Sequence, residues 1–298
     1  MSKIYDGIMG LVGGGALGVP AEFKKRGTYK ITDMTGYGTH NQPPGTWSDD
    51  SSMVFATMDS VIRKGKINLD DIMMNFSRWM NSGKFTPHGT VFDIGNSTAK
   101  AIRRFDNGKS ISQCGCDGSD ENGNGALMRI LPIAFIFHKT RDKSVISDVA
   151  SLTHSHYISN AACMIYCEIV KMLLDGEEKI NIVNAISEAR CYLPSEFHRL
   201  CTIDGLERYE IRSSGYVVDT LEAALWCFLH TETYADCVLE AINLGDDTDT
   251  VAAVAGGLAG IYYGCGGEGV REDWMKRIAK LDWIKTMCTQ FAYTLDAM

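Results

Sequence analysis

Apolar residues recur at spacings of three and four along this chain, and nowhere does an apolar/polar alternation persist long enough to specify a half-buried strand. Helices are the only regular element this pattern supports, so an all-α fold is expected. Ile158, Ala162, Ile165, Ile169 and Met172 form one stripe; Leu221, Leu225 and Phe228 form another in a segment opening at Asp219 and Thr220. Further helices are predicted around 53–64, 69–81, 96–105, 144–152, 180–190, 232–243, 249–263 and 272–294. No linker, charge run or fixed-period repeat divides the 298 residues, so one domain over 1–298 is expected. With 45% hydrophobic residues it has enough apolar surface for a core of its own.

Charge and cysteine usage narrow the classes of partner. Lys and Arg number 29 against 37 Asp and Glu, and the net charge of −8 repels phosphate backbones and anionic lipids. A nucleic-acid substrate is therefore disfavoured. The longest apolar run, Ile130 to Phe137, is too short to span a bilayer and contains Pro132, and Met1 to Asp6 lack the basic and apolar regions of a secretory signal. No membrane segment is expected. Ten cysteines without a pair of Cys-x-x-Cys motifs read as buried free thiols of a cytoplasmic protein.

Thirty glycines against six prolines fall in clusters at Gly13–Gly18, Gly36–Gly45, Gly115–Gly125 and Gly256–Gly269, which read as loops where backbone turns sharply or approaches a ligand. Two acidic segments lie at opposite ends of the chain. Trp47-Ser48-Asp49-Asp50-Ser51 precedes one apolar periodic run, and Gly245-Asp246-Asp247-Thr248-Asp249-Thr250 precedes another, so each opens a helix. Either could be a set of N-caps complementing the helix dipole. Brought together, however, five carboxylates without a neighbouring Lys or Arg would repel one another, and a hard divalent cation relieves that repulsion. Oxygen donors suit Mg²⁺ or Mn²⁺ rather than zinc, and five acids are enough for two ions.

These residues, in this order, resemble the ADP-ribosylglycohydrolases, a family including dinitrogenase-reductase-activating glycohydrolase and ADP-ribosylarginine hydrolases. The similarity extends through Gly14 to Phe23, Phe92-Asp93-Ile94-Gly95, Gly123 to Arg129, Thr153-His154 and Ser214 to Trp226. The resemblance implies an all-α fold with a dinuclear site at helix N-termini. Its two Mg²⁺ or Mn²⁺ ions would be held by Ser48, Asp49, Asp50, Asp247, Asp249 and Thr250, with Asp246 outside the pattern. It also implies hydrolysis of the C1″ bond of an ADP-ribosylated protein or small-molecule ADP-ribose conjugate; a monomer is expected. Arginine linkage is the expected case; serine-linked and O-acyl substrates, or an inactive ADP-ribose-binding relative, are the alternatives. A two-metal phosphodiesterase lies outside the family.

Glu22 and Asp93 are the expected proton-handling residues. On its own Glu22, beside Lys24 and Lys25, reads as a surface residue, and Asp93 reads equally as a cap for a helix near Asn96. Gly123, Asn124, Gly125 and Ala126 could cradle a pyrophosphate with glycine at positive φ, and Arg129 could add charge to it. His154 matches the family's Thr-His position, near the substrate phosphates or a metal-bound water. Ser214, Gly215 and Tyr216 match a loop where the ring could pack on adenine or ribose, or simply in the core. Gly15 stands where the family carries Asp.

Overall fold

The computed structural model describes residues 2–298 and is built from helices. In chain order these are α1 (Lys3–Gly18), α2 (Asp49–Lys64), α3 (Leu69–Ser82), α4 (Asn96–Asp106), α5 (Leu131–Thr140), α6 (Ser144–Ala150) and α7 (Tyr157–Leu174). They continue with α8 (Lys179–Glu188), α9 (Val217–Leu229), α10 (Tyr234–Asn243), α11 (Thr248–Tyr263), α12 (Glu272–Arg277) and α13 (Leu281–Ala297), with short 3₁₀ turns between. Among the described residues there is no strand, only isolated bridges such as Cys116 with His154 and Gly123 with Tyr216. The helices share one continuous hydrophobic core, so the chain is a single all-α domain.

The centre of that core is the pair α1 and α11. Gly10, Gly14 and Gly18 repeat every four residues along one face of α1 and meet the α11 backbone. A methyl group built on Gly10 would lie 2.1 Å from the Gly256 carbonyl oxygen, and one on Gly14 2.1 Å from that of Ala252. On Gly18 it would lie 2.4 Å from the Asp249 Cα. Gly256 and Gly260 return the arrangement, with methyls 2.3 Å from the Gly10 and Asp6 carbonyls. Backbone thus packs on backbone, and Tyr234 donates from its hydroxyl to the Gly10 carbonyl at 2.7 Å to seal one side.

This corrects the reading of the Gly13–Gly18 cluster as a loop: those glycines lie inside a buried helix and serve close packing. By length and composition α1, extended through Ala21, matches a membrane span, as does α7, a similarity that shorter apolar runs do not reveal. The α1 window is 94% buried against its neighbours, chiefly α11. In α5, Pro132 occupies the first turn, where a missing N–H costs nothing. The segment expected as one helix over 272–294 is two, α12 and α13. They are separated where Ala279 donates to the Gly45 carbonyl at 3.1 Å and Lys280 turns left-handed.

Candidate active site

The site forms where the N-termini of α2 and α11 converge. Trp47, fully buried, fixes the approach to α2: its indole N–H donates to the Phe85 carbonyl at 3.2 Å, and its ring meets Phe55 edge-on at 5.3 Å. Ser48 is the N-cap residue, yet its side chain does not cap; the hydroxyl donates instead to Asp50 Oδ2 at 3.1 Å. At α11, Asp247 holds the N-cap position and likewise makes no capping bond. Thr250 donates to Asp50 Oδ1 at 3.2 Å and so ties the two helices together. Capping therefore does not explain these acids.

Ser48, Asp49, Asp50, Asp249 and Thr250 are all buried, and Asp247 Oδ1 and both Asp249 carboxylate oxygens lack any hydrogen-bond partner. Unpaired buried carboxylate oxygens are costly. Burial first, and then the neighbouring carboxylates, holds Asp49, Asp50 and Asp249 well above the usual carboxylate range. Helix N-termini offset part of this repulsion. An all-oxygen set with orphaned acceptors fits a hard divalent cation. One ligand atom each from Glu22, Asp247 and Asp249 lies within 4.8 Å of the others.

Glu22 is 3% exposed, so its reading as a surface residue fails. Its carboxylate contacts His40 Nε2 and, with His40 and Asp93, forms a second group whose ligand atoms lie within 4.8 Å. Burial, then Asp249 and Asp93, pushes the Glu22 carboxyl far above its ordinary range. His40 was absent from the sequence reading, since no spacing links Gly38-Thr39-His40 to Glu22. The fold links them: Thr39 Oγ1 donates to the Glu22 carbonyl at 2.7 Å. Asp93 is not a cap, because the N-cap of α4 is Gly95, without a side-chain bond. It adopts φ 53°, a conformation non-glycine residues rarely accept.

A cavity of about 380 Å³ opens from these acids. Its walls include Asp49, Ile94, Thr98, Met128, Thr250, Gly123, Asn124, Gly125, His154 and Gly215. Gly123 and Gly125 are not at positive φ, contrary to expectation; they provide room, since a methyl on Gly125 would lie 2.8 Å from His154 Cε1. Nor are successive amides free, because the Asn124 N–H donates to the Gly215 carbonyl at 3.1 Å. The Asn124 side chain donates to Asp247 Oδ2 at 2.8 Å and to Thr220 Oγ1 at 2.9 Å. Ala126 is buried behind this wall.

Arg129 does not reach the cavity. It is fully buried, and its guanidinium donates to the Gly125, Val149 and Ala150 carbonyls and to Thr153 Oγ1 at 2.8 Å. The charge assigned to phosphate is thus spent on the Gly125 carbonyl and on carbonyls at the C-terminus of α6. Arg129 acts indirectly: it donates to Thr153 Oγ1, which shares a hydrogen bond of 2.8 Å with His154 Nδ1, and His154 Nε2 faces Gly123 and Gly125. Burial and Arg129 push the His154 pKa down to about 3, so the ring is neutral. Ser214 also turns away from the cavity, donating to Asp219 Oδ2 at 2.6 Å. Tyr216 is 37% exposed, which excludes core packing, and lines a groove with Gly123 and Gly215 beside the cavity. Gly15 lies inside α1, where a methyl would be 3.8 Å from Asp50 Oδ2.

The comparisons agree with this architecture. The model of the ADP-ribosylglycohydrolase family matches residues 1–297. ADP-ribosylarginine hydrolase Tri1 of Serratia proteamaculans is 33% identical over 98% of this chain and 80% of its own. ADP-ribosyl-[dinitrogen reductase] glycohydrolase of Rhodospirillum rubrum is 31% identical over 93% of this chain and 90% of its own. A solved ADP-ribosylglycohydrolase-related protein complex superposes with a TM-score of 0.84 at 26% identity, covering 98% of both chains. Matched along nearly its whole length in both sequence and fold, the chain belongs to the ADP-ribosylglycohydrolase family.

Proposed function

We propose that this protein hydrolyses the C1″ glycosidic bond of arginine-linked mono-ADP-ribose and releases ADP-ribose, using two Mg²⁺ or Mn²⁺ ions. The observation that carries this reading is the charge of the cavity wall. Glu22, Asp93 and Asp120 line it beside Asp49 and Asp247 of the metal-holding set, Glu121 is paired with Lys100 at 2.6 Å, and among the described residues no Lys or Arg lines it. Such a wall attracts a cationic leaving group and gives a neutral serine ether nothing comparable. The relatives named for ADP-ribosylarginine and for ADP-ribosylated dinitrogen reductase support the same substrate class. Ten free cysteines, mostly buried, suit a reducing cytoplasm.

Ser48, Asp49, Asp50, Asp247, Asp249 and Thr250 would hold the metals. When bound, the ions supply Lewis acidity toward the ribose hydroxyls and an attacking water. Asp93 accepts the paired N–H donors of the guanidinium and fixes the scissile bond, a geometry that suits a planar fork. Glu22, bridging Asp93 and the acids of α11, handles the proton that moves to the departing group. His154 donates from Nε2 to an oxygen of the bound ADP-ribose, Gly123 and Gly125 leave space for the pyrophosphate, and Tyr216 offers its ring at the far edge for the adenosine. The direct test presents ADP-ribose linked separately to arginine, serine, glutamate and DNA. Arginine-linked material should turn over fastest, and Asp93→Asn should reduce that turnover strongly at a nearly unchanged melting temperature, since Asn tolerates the left-handed backbone well. Equal or faster cleavage of the serine-linked substrate by the wild type would overturn the assignment.

A further inference from the structure

Phe23 combines two unfavourable features at the lip of the cavity. Its backbone sits at φ 63°, where a bulky L residue is rare, and the residue is 67% exposed. Neither feature is a fold requirement that the ring satisfies, because little of it is buried. The conformation is imposed from outside. The Phe23 N–H donates to the Asp246 carbonyl at 2.7 Å, and the Asp246 N–H returns to the Lys24 carbonyl at 3.0 Å. Asp246 itself is left-handed at φ 58°. Two strained residues thus lock the loop after Glu22 onto the loop before α11, and the product of that strain is an aromatic ring held beside the acids. Strain retained in this way is characteristic of functional positions.

The ring is not alone. His40 meets Phe23 edge-on at 6.1 Å and packs against Phe92 at 5.1 Å, while its Nε2 contacts Glu22. An aromatic row therefore lies next to the Glu22 and Asp93 carboxylates. Carboxylates at the edge and an aromatic face together make the environment that a guanidinium prefers, since its N–H fork bonds acids in its plane while its face stacks on a ring. We infer that Phe23 is the acceptor-side platform of this enzyme, stacking on the guanidinium of the modified arginine and setting preference for that linkage. The inference rests on the arginine-linked reading above.

The test compares steady-state kinetics of Phe23→Leu, Phe23→Tyr and Phe23→Gly on arginine-linked and serine-linked conjugates, with melting temperatures and ADP-ribose affinity measured in parallel. Phe23→Leu keeps apolar bulk and loses the ring; it should raise KM for the arginine-linked substrate about two- to thirty-fold, the range of a single cation–π contact, with kcat changing less. The preference over the serine-linked substrate should fall by the same factor. Phe23→Tyr should stay within about twofold of the wild type, the ring face being kept. Phe23→Gly relieves the backbone strain, so it should melt at or above the wild-type temperature while showing the same KM defect, which separates the effect from misfolding. ADP-ribose, which lacks the guanidinium, should bind all variants alike. An unchanged KM for Phe23→Leu, or a parallel loss of ADP-ribose affinity, would overturn the platform while leaving the functional reading intact. A wild type that cleaves no arginine-linked substrate would overturn both.

Discussion

Replacing Gly18 with alanine isolates how closely the acidic start of α11 depends on helix packing. Gly18 has φ −79° and ψ −34°, ordinary right-handed backbone, so alanine meets no conformational penalty there. Helix propensity alone favours alanine by about 1 kcal/mol. Against this, the new methyl would lie 2.4 Å from Asp249 Cα, 2.6 Å from its amide nitrogen and 2.6 Å from the Thr248 carbonyl oxygen, whereas ordinary contact begins at 3.4 Å. The difference, 3.4 − 2.4 = 1.0 Å, must be supplied by backbone, because all three obstructing atoms are main chain. Forcing a methyl into a packed interior costs about 1–3 kcal/mol, and rigid surroundings place this case near the top of that range. After the propensity gain, about 2 kcal/mol remains, or a melting temperature lower by roughly 4–8 °C at about 2–4 °C per kcal/mol. The start of α11 would retreat by the same distance and carry Asp247 and Asp249 with it, and a misplacement of about 1 Å can cost a hundredfold in rate. Gly15→Ala is the internal control: it lies on the same helix, and its methyl would stand 3.6 Å from Ala253 Cβ. It should melt at or above the wild-type temperature and retain most of the activity. Melting curves and turnover of an arginine-linked substrate with Mg²⁺ read both effects. Indistinguishable Gly18→Ala and Gly15→Ala proteins would refute the claim that α11 dictates glycine at position 18.

Mg²⁺ or Mn²⁺ added to metal-stripped protein should raise its stability, by about 2.7 kcal/mol at a hundred times Kd. In Asp249→Asn most of that gain should disappear, although the metal-free variant should melt at least as high as metal-free wild type, a carboxyl whose ionised form burial disfavours having been removed; a wild-type melt indifferent to both metals would sink this expectation. His154 gives a pH dependence of known sign. Its pKa falls from the ordinary 6.5 to about 3 on folding, so the unfolded chain takes up the proton first and stability is lost as pH drops through that window. At pH 5 the loss from this group is about 2 kcal/mol, from about 1.36 kcal/mol per unit. His154→Gln should therefore flatten the acid side of the stability profile, and a slope equal to that of the wild type would count against a neutral, buried imidazole.

Sequence periodicity alone determined the class of fold, because a 3.6-residue apolar repeat can be satisfied only by helices that each bury a stripe. It also placed two acidic loops at helix starts, and the order of the motifs identified the family, since each of those signals is local in the chain. What the sequence could not convey was which side chains spend their chemistry on the protein itself. Arg129 looks like a phosphate ligand beside a glycine turn, but two segments, at Gly125 and at 149–153, close around it and consume its donors on carbonyls and a hydroxyl. Gly13–Gly18 looks like a loop because glycine disfavours helix, until α11 approaches Gly14 and Gly18 so closely that only glycine fits. His40 has no motif at all, and 18 residues separate it from Glu22 until the turn at Gly38 folds it back. Burial, partner and distance are properties of segments brought together from far along the chain, and only the tertiary structure fixes them. It alone set His40 against Glu22, Asp93 away from the cap and Phe23 at the lip of the cavity.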